Sequence, residues 1–112
     1  MDAGDDRANR LTVLSPLAVQ DYAETHDHTA FAWGWSQAER YADMLDAAIR
    51  EAAENPKAGK RIEDDSAYRV RYMKWPKAKY GHAIIYREIE GGVYVLRILH
   101  GAMNVSDYLK EV

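Results

Sequence analysis

The stretch that most constrains this chain is Gly81 to Met103, G-H-A-I-I-Y-R-E-I-E-G-G-V-Y-V-L-R-I-L-H-G-A-M. Two runs rich in Val, Ile and Tyr flank Gly91-Gly92, and glycine reaches without strain the positive φ that a primed hairpin turn demands. A loop made of those two glycines fixes a register. It sets Ile89 opposite Tyr94, Arg87 opposite Leu96, Ile85 opposite Ile98 and Ala83 opposite His100, all on one face. That face is mostly apolar and is expected to meet the core. His82, Ile84, Tyr86, Glu88, Val95, Arg97 and Leu99 fall on the other face. It mixes aliphatic and charged side chains, as expected of a half-covered surface free to bind something.

A further strand precedes the hairpin. Tyr68 to Trp75 alternates, with Tyr68, Val70 and Tyr72 on one side and Arg69, Arg71 and Met73 on the other. Near the start, Leu11 to Ser15 reads as a short strand. Ser15-Pro16 then supplies an N-cap followed by proline at the first helical position, where its missing N–H costs nothing. The helix that follows runs from about Pro16 to Trp33. Its inward stripe is thin, Ala18, Tyr22, Thr25 or His26, Thr29 and Trp33, and includes two threonines.

Gly34 ends that helix, and Ser36-x-x-Glu39 has the pattern of a capping box for the next. Ala38, Tyr41, Leu45, Ala48, Ile49 and Ala52 keep the 3.6-residue period until Asn55-Pro56, where the residue before proline leaves the helical region. Lys57 to Ala67, with Glu63-Asp64-Asp65, reads as a loop. Trp75 to Tyr80 is a basic loop flanked by aromatics, and Asn104 to Leu109 can form one or two helical turns. Met1 to Arg10, Asp-rich and nearly without apolar residues, is expected to be a flexible leader (residues 1–10) before one domain (residues 11–112). Three consecutive strands with short connections predict an antiparallel β meander, and the antiparallel helical hairpin packs on one side of it. The fold class is α+β, in two layers.

A chain of 112 residues makes one such domain, burying roughly two thirds of its unfolded surface. With no cysteine, thiolate catalysis, disulfide scaffolds and cysteine metal sites are excluded. No apolar run is long enough to span a membrane and no signal segment is visible, so the expected location is cytoplasmic. Residues 1–54 carry 4 basic and 11 acidic side chains, net −7, whereas residues 55–112 carry 11 basic and 7 acidic, net +4. The basic half, densest between Tyr68 and Arg87, is suited to an acidic partner. His26 and His28 flank Asp27 but point to different sides of a helix, which argues against a metal site. Trp33, Trp35 and Trp75 are expected to pack in the core or at the helix corner.

Several ordered segments together resemble a known family. Leu14-Ser15-Pro16-x-Ala18-x-x-Asp21, Trp33-Gly34-x-x-Gln37-Ala38 and Glu54-Asn55-Pro56-x-x-Gly59 match its opening junction, its helix corner and the exit of its second helix. Tyr68-Arg69-Val70, Gly81-His82-x-Ile84-Ile85-Tyr86-Arg87 and Val95-x-Arg97-Ile98-Leu99-His100-Gly101-x-Met103 match its strands. The chain resembles the ParE-type toxins of type II toxin-antitoxin systems, within the RelE/ParE superfamily, from about Leu11 to Leu109. The longer loop from Trp75 to Tyr80 departs from the family pattern.

What the resemblance implies is a toxin neutralised by direct binding of a cognate antitoxin. In the ParE branch such a toxin poisons DNA gyrase, and in the RelE branch it cleaves messenger RNA on the ribosome. Cleavage by 2′-hydroxyl attack needs proton-moving groups and cations at the phosphate. His82, His100 or Tyr108 and Arg69, Arg71, Arg87 or Arg97 are permissive, but their spacing forms no recognisable site. A net negative chain is also poorly suited to ribosomal RNA. Mostly on the resemblance, whose pattern has His82, Arg97 and His100 in members that look like gyrase poisons, the gyrase branch is the expectation, with no catalytic residue, metal, cofactor or sequence-specific nucleic-acid binding. Contact with antitoxin or target is expected from Arg69, Arg71, Tyr86, Arg87, Arg97, His100 and Met103, Tyr86 and Arg97 first. The antitoxin is expected to be ParD-like, with an acidic tail that folds as it binds by adding a strand or laying a helix in a groove. For Arg97, pairing with Glu88 or a C-terminal carboxylate is the structural alternative; for His100, a hydrogen-bonded structural role.

Overall fold

A computed structural model describes residues 10–62, 66–75 and 81–101. The expected leader, the acidic trio, Pro76 to Tyr80 and everything from Ala102, Met103 and the C-terminal turns included, lie outside the described residues. The elements in chain order are β1 (Leu11–Leu14), α1 (Pro16–Trp33), α2 (Trp35–Glu54), a 3-10 turn (Pro56–Ala58), β2 (Lys60–Arg61), β3 (Tyr68–Met73), β4 (His82–Ile89) and β5 (Gly92–His100). One five-stranded sheet has the order β1-β5-β4-β3-β2. β1 runs parallel to β5 and the remaining neighbours are antiparallel. The two helices pack against one face, which is the expected two-layer α+β arrangement.

Local chemistry explains the helix boundaries. The Ser15 side chain caps α1 by accepting from Ala18 N–H at 3.0 Å, with Pro16 in the first turn. Gly34, at φ +94°, closes α1 and opens α2. The Ser36/Glu39 capping box does not form, because α2 starts at Trp35 with Gly34 as its N-cap and places Ser36 within the first turn. Glu39 instead meets His26 of α1 at 3.1 Å. α2 buries Ala38, Tyr41, Leu45, Ala48, Ile49, Ala52 and Ala53, whereas α1 buries Ala18 alone. The small residues let α2 approach the sheet closely, and Leu45 and Ile49 each contribute about 1.5–3 kcal/mol by burial. The expected loop after α2 contains β2, which pairs with Arg69 and Val70 of β3.

The hairpin forms, but its register differs from the expected one. Arg87 lies opposite Tyr94, Tyr86 opposite Val95, Ile85 opposite Arg97, Ile84 opposite Ile98 and Ala83 opposite Leu99. The loop is Glu90-Gly91, with Gly91 at φ +84°. Gly92 belongs to β5 and serves a different purpose, since a Cβ there would fall onto the Leu11 carbonyl oxygen of β1. A β-bulge between Ile85 and Tyr86 then leaves Leu96 without an opposite residue.

The faces of β4, and of β5 up to Leu96, are accordingly exchanged, whereas past the bulge Ile98 and Leu99 keep the faces expected of them. Ile84, Tyr86, Val93, Val95 and Ile98 join Leu45, Ala48, Ile49 and Ala52 in the helix-side core. Ile85, Leu96 and Leu99 form a second cluster with Ile62, Tyr68 and Tyr94 on the opposite face. Four consecutive residues of β4, Ala83 to Tyr86, are buried. With apolar residues on both sides of the strand, alternation carries no sign of which side meets the helices.

Candidate functional site

β1 ends at Leu14 while β5 continues to His100, so beyond Val95 no strand among the described residues pairs with this edge of β5. α1 closes that edge with side chains. Ser15 N–H donates to Val95 O at 2.9 Å and Ser15 Oγ to Leu96 O at 2.6 Å, the carbonyl that the bulge turns outward. One turn on, the Asp21 carboxylate accepts from Ile98 N–H at 2.9 Å and from Arg97 Nε and Nη2 at 2.8 and 3.0 Å. The side chains of Arg97 and Asp21 are only 19% and 10% exposed. The opening motif of the sequence, Ser15-x-x-Ala18-x-x-Asp21, is therefore a clamp. The planar guanidinium fork matches the carboxylate, which is why Arg and not Lys suits this position.

Above the clamp, α1 lifts away from the ends of β4 and β5 and leaves a cavity of about 380 Å³. Asp21, Glu24, Thr25, His28 and Thr29 line it from one stripe of α1. His82, Arg97, Ile98, Leu99 and His100 line it from the strands. The threonines are the cause of the opening, because short hydroxyl side chains stand where a helix packed on a sheet would carry aliphatic ones. Thr25 and Thr29 donate to the carbonyls of Asp21 and Thr25, each at 2.8 Å.

The hydrogen bonds fix the state of His82. Thr25 Oγ1 gives its proton to Asp21 O, so its 3.4 Å contact with His82 Nε2 requires Nε2 to carry the hydrogen. In a neutral ring the bare Nδ1 then accepts from Tyr41 O–H at 2.6 Å. Burial lowers the His82 pKa from 6.5 to about 4, aided by the nearby His100. Burial also raises the Tyr41 pKa, which keeps its hydroxyl proton in place to donate. The His100 ring meets the His82 ring edge-on at 5.8 Å.

The residues expected to make contacts are dispersed. Tyr86 is fully buried on the helix side, its hydroxyl donating to Pro56 O at 2.6 Å and accepting from Gly59 N–H at 3.1 Å. Arg69 donates to Gly59 O at 2.7 Å and to Lys57 O at 3.3 Å, so both residues hold the exit of α2 and neither stands on an open face. Arg71 pairs with Glu51 of α2, whereas Arg87 lies 5.4 Å over the Tyr94 ring on the far face. Arg97 takes Asp21 as partner, not Glu88. His100 stands on the helix side of the sheet, as expected, but exposed at the cavity mouth. Met103 lies outside the described residues. Only Arg97 and His100 of the expected set come together.

The sequence reading missed Asp21, Glu24, Thr25, Thr29 and Tyr41 as parts of one site, though two threonines in the inward stripe of a helix were a usable signal. Of the tryptophans expected in the core or at the helix corner, Trp33 and Trp35 flank the corner but are 77% and 67% exposed, Trp35 edge-on to His26 at 4.7 Å, and Trp75 lies edge-on to Tyr41 at 5.7 Å. Among the described residues, no group of three or more His, Cys, Asp or Glu side chains is placed to hold a metal ion. Nor is any described helix long and apolar enough to cross a membrane.

The model of the family described as ParE toxin of type II toxin-antitoxin system, parDE, matches residues 12–105. The chain belongs to the ParE toxin family. It is 37% identical over 95 residues to Toxin ParE1 of Mycobacterium tuberculosis (strain CDC 1551 / Oshkosh), covering 84% of this chain and 92% of that protein. It is 32% identical over 96 residues to Toxin ParE1 of Caulobacter vibrioides, covering 86% and 94%. The fold is also that of a chain in the chromosomal ParDE TA system from P. aeruginosa, with a TM-score of 0.60 at 14% identity over 80% of this chain and 94% of that one. The ParE family match therefore takes in β1, both helices, all of β5 and the Asp21–Arg97 clamp between them.

Proposed function

We propose that this ParE-family toxin acts by binding DNA gyrase, without catalysing a reaction, and is held in check by a cognate antitoxin. The observation that carries the non-catalytic reading is the engagement of its proton-moving and cationic groups in structural bonds. The His82 lone pair is occupied by Tyr41 O–H, and the Arg97 guanidinium is closed by both oxygens of Asp21. A general base needs a free lone pair near the substrate and a pKa near the working pH, and His82, at about 4, has neither. The RelE-like alternative has one observation in its favour, that His82, Arg97 and His100 border a single cavity. The bonds just described oppose it.

The antitoxin surface follows from charge and from the sheet edge. Among the described residues β2 pairs with Arg69 and Val70, and Ile62 N–H bonds to Tyr68 O, so from Arg71 to Met73 β3 presents an edge to which a partner can add a strand. Exposed Lys60, Arg61 and Lys74 border that edge, which suits an acidic tail that orders on binding.

The test is a supercoiling assay. Purified toxin at micromolar concentration is expected to inhibit ATP-dependent supercoiling by gyrase or trap cleaved DNA, and added antitoxin to restore activity. No effect on gyrase, together with ribosome-dependent cleavage of a message, would establish the nuclease reading instead.

A further inference from the structure

We infer that the cavity between α1 and the ends of β4 and β5 receives a basic side chain, lysine or arginine, from the polypeptide that the toxin attacks. This deepens the proposed function by resting on a toxin that acts by binding, but not on which protein is bound. Three independent features of the cavity carry it.

Hydrogen-bond polarity comes first. The Thr25 and Thr29 hydroxyls give their protons to helix carbonyls, so neither has a proton to offer the cavity; one Thr25 lone pair takes the His82 Nε2–H, and the remaining lone pairs are acceptors. The Glu24 carboxylate, whose one neutral partner is Gln20 at 3.1 Å, adds acceptors at the mouth. A lining rich in acceptors selects a group that only donates, and among side chains guanidinium and ammonium are those groups.

Charge gives the same sign. Asp21 and Arg97 pair with each other, and Glu24 adds a further negative charge to the described lining. The surrounding field agrees. Across residues 16–54 the helical hairpin carries 8 acidic and 2 basic side chains, net −6, so it draws a basic segment toward the opening and repels an acidic antitoxin tail.

Size and access complete the case. A volume of about 380 Å³ admits one long side chain, and Glu24, His28 and His100 at the mouth are exposed. Imidazole rings beside the opening offer π faces on which a guanidinium can stack. The molecule thus has two poles, a basic sheet edge for the antitoxin and an acidic helical side for the target.

Two variants test this, Thr29→Leu, which fills the cavity, and Glu24→Lys at an exposed position, which reverses the charge without entering the core. Each is expected to raise the concentration for half-inhibition of gyrase supercoiling at least tenfold. Calorimetric affinity for the antitoxin should stay within twofold of the parent, with an unchanged urea midpoint for Glu24→Lys. Unaltered inhibition by both variants would overturn the inference, and so would a parallel loss of antitoxin affinity, which would give the cavity to the antitoxin. If the parent chain leaves gyrase untouched, the gyrase reading fails, and growth arrest on expression without antitoxin becomes the readout. Arrest relieved by both variants then supports the cavity, arrest unchanged by them refutes it, and a parent chain that arrests nothing refutes both proposals.

Discussion

Asp21 joins α1 to β5, and its two oxygens satisfy Arg97 and the Ile98 amide at once. Asp21→Ala takes the carboxylate from a mostly buried guanidinium and the acceptor from the Ile98 amide, and is expected to cost about 2–4 kcal/mol. A urea titration reads this as a lower midpoint with an unchanged slope; a loss under 1 kcal/mol would mean the clamp is not structural. His82 sets a pH dependence. Its folded pKa of about 4 lies below the ordinary 6.5, so between those values the unfolded chain binds the extra proton and stability falls as pH falls. The loss, on the order of 2 kcal/mol after allowance for partial exposure, is absent above pH 6.5 and complete below pH 4. In His82→Gln the urea midpoint should depend less steeply on pH across that window, and equal slopes would show that His82 does not titrate as described. None of this pairing was legible in the sequence. Arg97 and Asp21 are 76 positions apart, and nearer carboxylates such as Glu88 offered partners that the sheet geometry does not use.

At the scale of elements, the hairpin was legible and its register was not. Two adjacent glycines signal a turn, but here Gly91 makes the turn and Gly92 admits the β1 backbone. A bulge at Leu96 leaves no mark in hydrophobic patterning: the shifted turn exchanges the faces of β4 and of β5 up to Leu96, and the bulge returns Ile98 and Leu99 to the faces expected of them. Gly92→Ala is expected to separate β1 from β5 while leaving the meander paired. Hydrogen exchange should show lost protection at Leu11, whose amide bonds to Gly91 O, and retained protection at Ile84. Protection kept at both sites would contradict the close-approach role of Gly92. α2 was read to its last residue because its apolar period is regular, while α1 yielded its boundaries but not its purpose. Thin amphipathicity and threonines in the inward stripe are the trace of a helix that covers a strand edge and roofs a cavity instead of filling a core.

For the whole molecule, the charge split visible in the sequence survives folding as geometry. Among the described residues most acidic side chains lie on the helical hairpin and most basic ones on β2 to β5, because the first half of the chain builds the helical layer and the second half all of the sheet but β1. The two-layer α+β class was legible for the same reason, since local periodicity alone separates a helical half from a strand half. The functional surfaces were not, because they depend on which face of the sheet the helices cover. The central claim is that this ParE-family chain acts by occupying its target and turns nothing over. Titrating it against a fixed amount of gyrase, with antitoxin withheld, tests that most directly. The account predicts that supercoiling falls in proportion to toxin added and is abolished only as toxin approaches the amount of gyrase. Complete loss at a small fraction of that amount, growing with time, would mark a catalyst and contradict it.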